Sequence, residues 1–211
     1  MKLWGIVKLG LVLMIYAAAA CVGLAFVYAG TQATIEKRTQ ADLETALKEL
    51  FPGADGFEAI TAAAPGGVIV SADPGVSFEG EYAIKRGGKL VGAALRASGG
   101  SYGGPIKVLV GVNAGGTISR IKIMEHADTP GLGANAGKAN YYVDKASGLT
   151  FYGQFSGKSV LDPFEPKDDI IAITAATITS RAVSRVVKAA GTAAFQWLAI
   201  NGGEAAGGAD Q

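Results

Sequence analysis

Between Leu9 and Gly30 the chain carries no charged residue, and beyond that run the apolar positions become periodic. A helix needs about 20 apolar residues to cross a bilayer, so the uncharged run predicts one membrane-spanning helix. Residues Thr31 to Phe51 predict a continuation of that helix outward. Leu43, Leu47, Leu50 and Phe51 fall at i, i+4, i+7 and i+8, the polar face is rich in Glu and Lys, and Pro52-Gly53 ends the pattern. Ala54 to Ser77 is weakly patterned and contains Pro65 and Pro74, which predicts loop with one short strand near Val68-Ile69-Val70. Strand-like runs follow at Glu81 to Arg86, Lys89 to Ala97, Ile106 to Val112 and Thr117 to Glu125, with Gly87-Gly88 and Ala114-Gly115-Gly116 as hairpin turns. In the last of these runs the two faces are not cleanly segregated, which predicts burial on both faces at one end. A final helix is predicted from about Ser180 to Ile200, with Val183, Val187, Ala190, Ala194, Trp197 and Leu198 on one face.

These elements give an α+β protein: a single N-terminal transmembrane helix, then a domain with an antiparallel sheet and flanking helices. The expected divisions are a short N-terminus with the anchor (1–30), a membrane-proximal helix (31–53), the domain (54–200) and a disordered Gly/Ala tail (201–211). No G-x-G-x-x-G lies between a strand and a helix, so a doubly wound nucleotide fold is not indicated. Lys2 and Lys8 precede the apolar run, while Glu36, Lys37 and Arg38 after it partly cancel. The bias of positive charge toward the cytoplasm then places the N-terminus inside and the domain outside. Cleavage near Ala18-Ala19-Ala20, as a signal peptide or before Cys21 as a lipoprotein, is the alternative. The run continues through Val22, Leu24, Phe26, Val27 and Tyr28, which favours an uncleaved anchor.

Composition narrows the chemistry. The net charge is +1 and Lys and Arg are scattered, which gives no footprint for nucleic acid. Cys21 and His126 are each the only residue of their type, so neither a disulfide framework nor a zinc site is expected. Redox chemistry, if present, needs an organic cofactor.

Two segments concentrate chemically useful groups. Thr174-Ala175-Ala176-Thr177-Ile178-Thr179-Ser180 sits in the bend before the last helix, where free backbone N–H groups and the helix dipole favour an anion. An ordinary Thr or Ser N-cap is the simpler reading of the same residues. Thr129-Pro130-Gly131-Leu132-Gly133 is either a tight turn or a place where backbone approaches a planar ligand closely. Ile178, Ala182 and Val183 read as core. Glu125 and His126 are placed to pair with each other or with a ligand edge, and Arg181 to meet a phosphate or solvent. Tyr102 and the aromatics from Tyr141 to Phe155 read as ring cover or as core.

The segment Tyr102-Gly103-Gly104-Pro105-Ile106, followed by strand, Gly-Gly turn, strand and Glu125-His126-Ala127-Asp128-Thr129-Pro130-Gly131-Leu132-Gly133, resembles the loop E-x-x-E-T-P-G-L-G of an FMN-binding domain. Thr174 to Thr177 resembles the S/T-G-A-T signature of the same domain. The family is that shared by the G subunits of the ion-translocating ferredoxin:NAD oxidoreductases (the Rnf complexes) and the C subunits of the sodium-pumping NADH:quinone reductases. With the anchor and chain length, the resemblance extends over nearly the whole protein.

The resemblance implies an electron-carrying subunit of a bacterial inner-membrane complex, with its domain on the periplasmic side and no catalytic residue of its own. It implies FMN held covalently by a phosphoester on Thr177. Thr174, Ala175, Ala176, Thr179 and Ser180 would surround the phosphate, and Glu125, Thr129, Gly131, Leu132 and Gly133 would surround the ring. The implied partners are the other subunits of the complex and a flavin transferase for maturation. Three differences from the family pattern stand out. Ala175 replaces the motif glycine, a change of little cost where φ is negative. Ile171 stands where an aspartate read by the transferase is frequent, with Asp168 and Asp169 close by, and Asp128 replaces a glutamate. Besides the G-subunit reading, two others stay open: the C subunit of a quinone reductase, and a membrane-tethered binding or assembly module without permanent flavin.

Overall fold

The computed structural model describes residues 3–61 and 66–206, and its chain divides into two compact units, Met1–Thr45 and Ala46–Gln211. Helix α1 (Leu3–Leu50) accounts for every described residue of the first unit, and its last turn, from Ala46, belongs to the second. It is long and apolar enough to cross a membrane, and Leu9, Ile15, Leu24 and Phe26 are all exposed along it. The uncharged stretch from Leu9 to Gly30 is apolar all round, a surface that suits lipid because in water it carries a hydration cost. Thr31 and Thr39 turn their hydroxyls back to the carbonyls of Val27 (2.9 Å) and Ile35 (3.0 Å), so both hydroxyls are satisfied within the helix. It stops at Leu50, and Gly53 adopts the left-handed φ of 84° that commonly follows a helix end.

In the second unit β1 (Gly56–Ala59), β2 (Val76–Arg86), β3 (Lys89–Gly100), β4 (Pro105–Asn113) and β5 (Ile118–Glu125) form one five-stranded antiparallel sheet in chain order. The β2–β3 turn places Gly87 and Gly88 at φ of 55° and 77°, the paired positive values of a type I′ hairpin. Two edge details differ from the sequence expectation. Val68-Ile69-Val70 is not a strand: Ile69 is buried and its N–H reaches the Glu81 carboxylate at 3.0 Å, while β1 occupies the free edge of β2. Pro65 lies outside the described residues. The mixed pattern of β5 comes from a bulge and not from burial on both faces. Val110 pairs with Ile121 and Val112 with Ile118, so Ser119 and Arg120 together oppose Gly111. The extra residue resets the alternation and brings Ile118, Ile121 and Ile123 into one core.

Helix α2 (Thr177–Ala206) covers one face of the sheet. Val183, Val187, Ala190, Ala194, Trp197 and Leu198 join Ala93, Leu95 and Ala97 of β3 in the main core, as the helical spacing predicts. Contact is close: a Cβ on Gly99 would stand 2.6 Å from Val186. Gly92 has opposite parity on β3 and therefore points to the other face. There a Cβ on Gly92 or Gly111 would come within 2.8 Å of the Phe51 ring. The last turn of α1 is fixed over that face by Ser119, which donates to Leu50 O at 2.6 Å, and by the Lys122–Glu49 ion pair at 2.7 Å. A sheet covered on both faces explains why Val108, Leu109 and Val110 are buried in succession.

A two-stranded ribbon, β6 (Tyr142–Asp144) with β7 (Leu149–Thr150), leads into an aromatic core. Phe151 and Phe155 meet edge to face at 5.6 Å, and Phe155 stacks on Phe164 at 6.2 Å. At the far end α2 continues to Ala206, past the expected boundary at Asn201, and residues 207–211 lie outside the described ones.

Two carboxylates tie loops to this body. Asp73 is held below the usual carboxylate range by its hydrogen bond from Arg185 (Nε, 2.6 Å), helped by the Gly75 N–H. Burial raises the Asp169 carboxyl, but bonds from Lys158, Glu165 N–H and Phe164 N–H outweigh it and leave the group lowered. A carboxylate whose folded-state pKa is depressed stabilises the fold fully above its unfolded pKa of about 4, and that contribution is lost as pH falls through the folded value. The urea midpoint is therefore expected to be level through neutral pH and to fall below about pH 4. Asp73→Asn together with Asp169→Asn should lower the midpoint at neutral pH and flatten the acid limb; an unchanged acid limb would contradict this assignment.

Candidate functional site

The chain enters the last helix through a bend whose polar groups are closely engaged. Gln154 clamps the backbone of Ile171 from both sides, accepting from its N–H at 2.8 Å and donating to its carbonyl at 3.2 Å. Ile170 and Ile173 on either side are buried. The Ile173 N–H donates to Ser180 Oγ (2.9 Å), and that hydroxyl donates to Ala176 O (3.0 Å). Ser180 is therefore an internal fastener, with its hydroxyl used twice inside the protein.

The Ala176 carbonyl also accepts from the Ser180 N–H at 3.0 Å, which makes Ala176 the N-cap and Thr177 the first helical residue. The start lies a turn earlier than the hydrophobic spacing predicts, because the apolar face begins only at Ala182. An alanine at the N-cap has no side-chain oxygen to accept the N–H groups of the first turn. The ordinary Thr or Ser cap is thus not what the bend provides.

Ala175 has φ of 58°, in the left-handed region, so the condition under which alanine replaces the motif glycine at little cost is not met. That conformation costs a residue with a Cβ about 1–2 kcal/mol, part of which glycine returns through its greater freedom in the unfolded chain. Ala175→Gly is expected to stabilise the domain by about 1 kcal/mol in urea denaturation. A destabilised variant would contradict this backbone assignment.

Across from the helix start lies the loop after β5. Leu132 N–H and Ala134 N–H both donate to Thr129 O (3.2 and 3.1 Å), Gly131 takes φ of 81°, and the Asn135 amide donates to Gly131 O at 2.9 Å. Gly133 has no room for a side chain, because a Cβ would meet Thr179 Oγ1 at 2.5 Å. Asp128 turns inward and accepts from Ser101 Oγ (2.7 Å) and Gly103 N–H (2.8 Å), which joins the β3–β4 turn to this loop.

Between these walls is a cleft of about 620 Å³. Tyr102, Asp128, Thr129, Leu132 and Gly133 line one side, and residues 175–179 the other. Thr177 is half-buried on that wall and Thr179 almost wholly buried, while Tyr102, Leu132 and Ile178 present exposed apolar surface. Apolar walls, open first-turn N–H groups and a hydroxyl suit a ligand with a planar apolar body and an anionic end.

The structure brings together Ala175, Ala176, Thr177, Thr179, Thr129, Leu132 and Gly133. Thr174 is exposed ahead of the bend, Gly131 shapes the turn without lining the cleft, and Glu125 points away into an ion pair with Lys107 at 3.1 Å. That bond raises the Lys107 ammonium above its ordinary value, against the lowering effect of burial. His126 lies on Gly137, where a Cβ would stand 2.6 Å from Nε2. Arg181 belongs to a separate groove with Arg185 and Lys188. Asp169 is occupied in its own turn, and Phe151 and Phe155 are core. Ile178, read as core from the sequence, is on the cleft. Ser101 carries no signal in the sequence, since nothing local shows that its partner is Asp128.

A family model for the FMN-binding domain matches residues 101–192, and a model for the RnfG N-terminal region matches residues 1–50. The G subunit of the Na(+)-translocating ferredoxin:NAD(+) oxidoreductase complex from Acetobacterium woodii is 34% identical over 195 residues, covering 86% of this chain and 88% of its own. The G subunit of an ion-translocating oxidoreductase complex from Cereibacter sphaeroides is 30% identical over 183 residues, covering 82% and 77%. The crystal structure of Shewanella oneidensis NqrC superposes with a TM-score of 0.49 at 17% identity, covering 72% of this chain and 87% of that one.

Proposed function

Because the chain belongs to the G-subunit family of ion-translocating oxidoreductase complexes, we propose that it carries electrons within such a complex through FMN esterified to Thr177. The observation that carries the reading is the position of Thr177: first residue of a helix whose N-cap has no side-chain oxygen, on the wall of a partly apolar cleft. The residues matched by the FMN-binding model, 101–192, include both walls.

When bound, FMN supplies one- or two-electron transfer. The chain's own residues hold and orient it. The first-turn N–H groups and the helix dipole neutralise phosphate charge, and Thr177 fixes one point of the ligand covalently. Leu132 and Ile178 give apolar contact, and the close seating of Gly133 on Thr179 keeps the walls at a set spacing. In the ester the Thr177 oxygen bonds to phosphorus as one P–O bond of the flavin nucleotide donor breaks, and the Thr177 proton leaves on the displaced oxygen group, so the net gain is FMN less water. Helix α1 anchors the domain in the inner membrane, with Lys2 and Lys8 on the cytoplasmic side and the domain outside. The other subunits of the complex are its partners, and a flavin transferase its maturation enzyme. The match of residues 1–50 to the RnfG N-terminal model favours the ferredoxin:NAD oxidoreductase family over the C subunit of the quinone reductases.

The test is the intact mass of the full chain co-expressed with a flavin transferase. A gain of FMN less water, with colour that survives denaturation, is the expected result. Yellow protein that loses its colour on denaturation would keep the carrier and remove the ester. A folded protein that takes up no FMN from either source would leave the tethered module.

A further inference from the structure

The outer wall of the cleft hangs on one carboxylate. Tyr102 is 70% exposed at the tip of the β3–β4 turn, which is closed by Ser101 N–H donating to Gly104 O at 2.8 Å. Asp128 is only 5% exposed, and its two oxygens accept from Ser101 Oγ and Gly103 N–H of this same turn. Gly103 lies so close that a Cβ would stand 2.2 Å from the Ala127 carbonyl. On its other side Asp128 abuts Gly133, where a Cβ would stand 2.8 Å from Asp128 Cβ. A buried carboxylate is costly, and an apolar side chain would fill this space more cheaply. What the carboxylate adds is direction: two charge-assisted hydrogen bonds fix the turn in one orientation.

We propose that Asp128 is a positioning residue that, by holding the Ser101–Gly104 turn, sets the Tyr102 ring as the aromatic cover of the FMN bound in the cleft. The inference rests on the FMN reading above. A phenol in contact with an excited flavin quenches its emission by electron transfer, whereas an aliphatic side chain does not. A covered ring is also shielded from dissolved quenchers. Asp128 and Tyr102 should therefore act on flavin emission through one another.

The experiment uses the full chain in detergent, loaded with FMN and checked by mass, and reads flavin fluorescence and its quenching by iodide. Tyr102→Leu is expected to raise emission several-fold and to increase iodide quenching. Asp128→Ala should do nearly the same, should add nothing to Tyr102→Leu, and should be reversed by Asp128→Glu, which restores both acceptor oxygens. Ser101→Ala, which removes only one bond, should be intermediate. Unchanged emission in Tyr102→Leu would overturn the proposal, as would Asp128→Ala brightening the Tyr102→Leu protein further. If Asp128→Ala fails to fold, Ser101→Ala decides, and wild-type emission in it overturns the positioning role. FMN held without an ester defeats only the Thr177 linkage and leaves this test in force. A chain that holds no FMN overturns both readings.

Discussion

Thr177→Val is expected to abolish the gain of FMN less water completely while leaving the fold intact. Valine keeps the branched shape at Cβ and removes only the hydroxyl that would bond to phosphorus. The side chain is half-buried at the first helical position, so no enclosed polar partner is left unpaired by the change. Neither neighbouring threonine is placed to substitute. Thr174 precedes the bend and does not line the cleft, and Thr179 is 1% exposed against Gly133. Thr177→Ser retains the oxygen and is expected to keep the adduct at reduced yield. An adduct that persists in Thr177→Val, found by peptide mapping on Thr174 or Thr179, would move the attachment point and with it the account of the first turn.

The largest stability effect is expected at Phe155. Its ring is wholly buried, edge to face with Phe151 and stacked on Phe164, and Ile170 and Ile173 belong to the same core. Removing a buried phenylalanine side chain costs about 3–5 kcal/mol in lost transfer energy and cavity. Against the roughly 5–15 kcal/mol that holds a domain together, that leaves Phe155→Ala marginal. Because Ile170 and Ile173 carry the backbone that leads to Ala176, the loss should reach the cleft. The urea midpoint is expected to fall sharply and FMN loading to fall with it. Phe155→Leu, which retains most of the volume, should lose much less of both. A Phe155→Ala protein with a wild-type midpoint would mean that the aromatic cluster does not anchor the motif.

Much of the fold is legible because its signals are local. The uncharged run from Leu9 to Gly30, the strand alternation between glycine pairs and the spacing from Val183 to Leu198 each reflect one element's own periodicity. The local signal misleads where a second element decides. Val68-Ile69-Val70 has strand composition, but the edge of β2 is taken by Gly56–Ala59. The irregular β5 pattern needed the register of β4, and the start of α2 needed the Ala176–Ser180 bond. The motif assigns Ser180 to a ligand, whereas the fold commits it inside, because its hydroxyl meets Ile173 across the bend.

An apolar helical anchor, an antiparallel α+β domain and two motifs of the FMN-binding family are all written in the linear chain. Each follows from spacing within a short stretch or from recognisable residue strings. That the two motifs face each other across one cleft emerges with the folded chain. So do the positive φ of Ala175, the engagement of Glu125 and Ser180 elsewhere, and the link that Asp128 makes between the Tyr102 turn and the loop. These outcomes depend on which distant backbone groups become neighbours when the sheet closes. Asp128 can exchange its hydration for the Ser101 and Gly103 hydrogen bonds only once β3, β4 and β5 are in register.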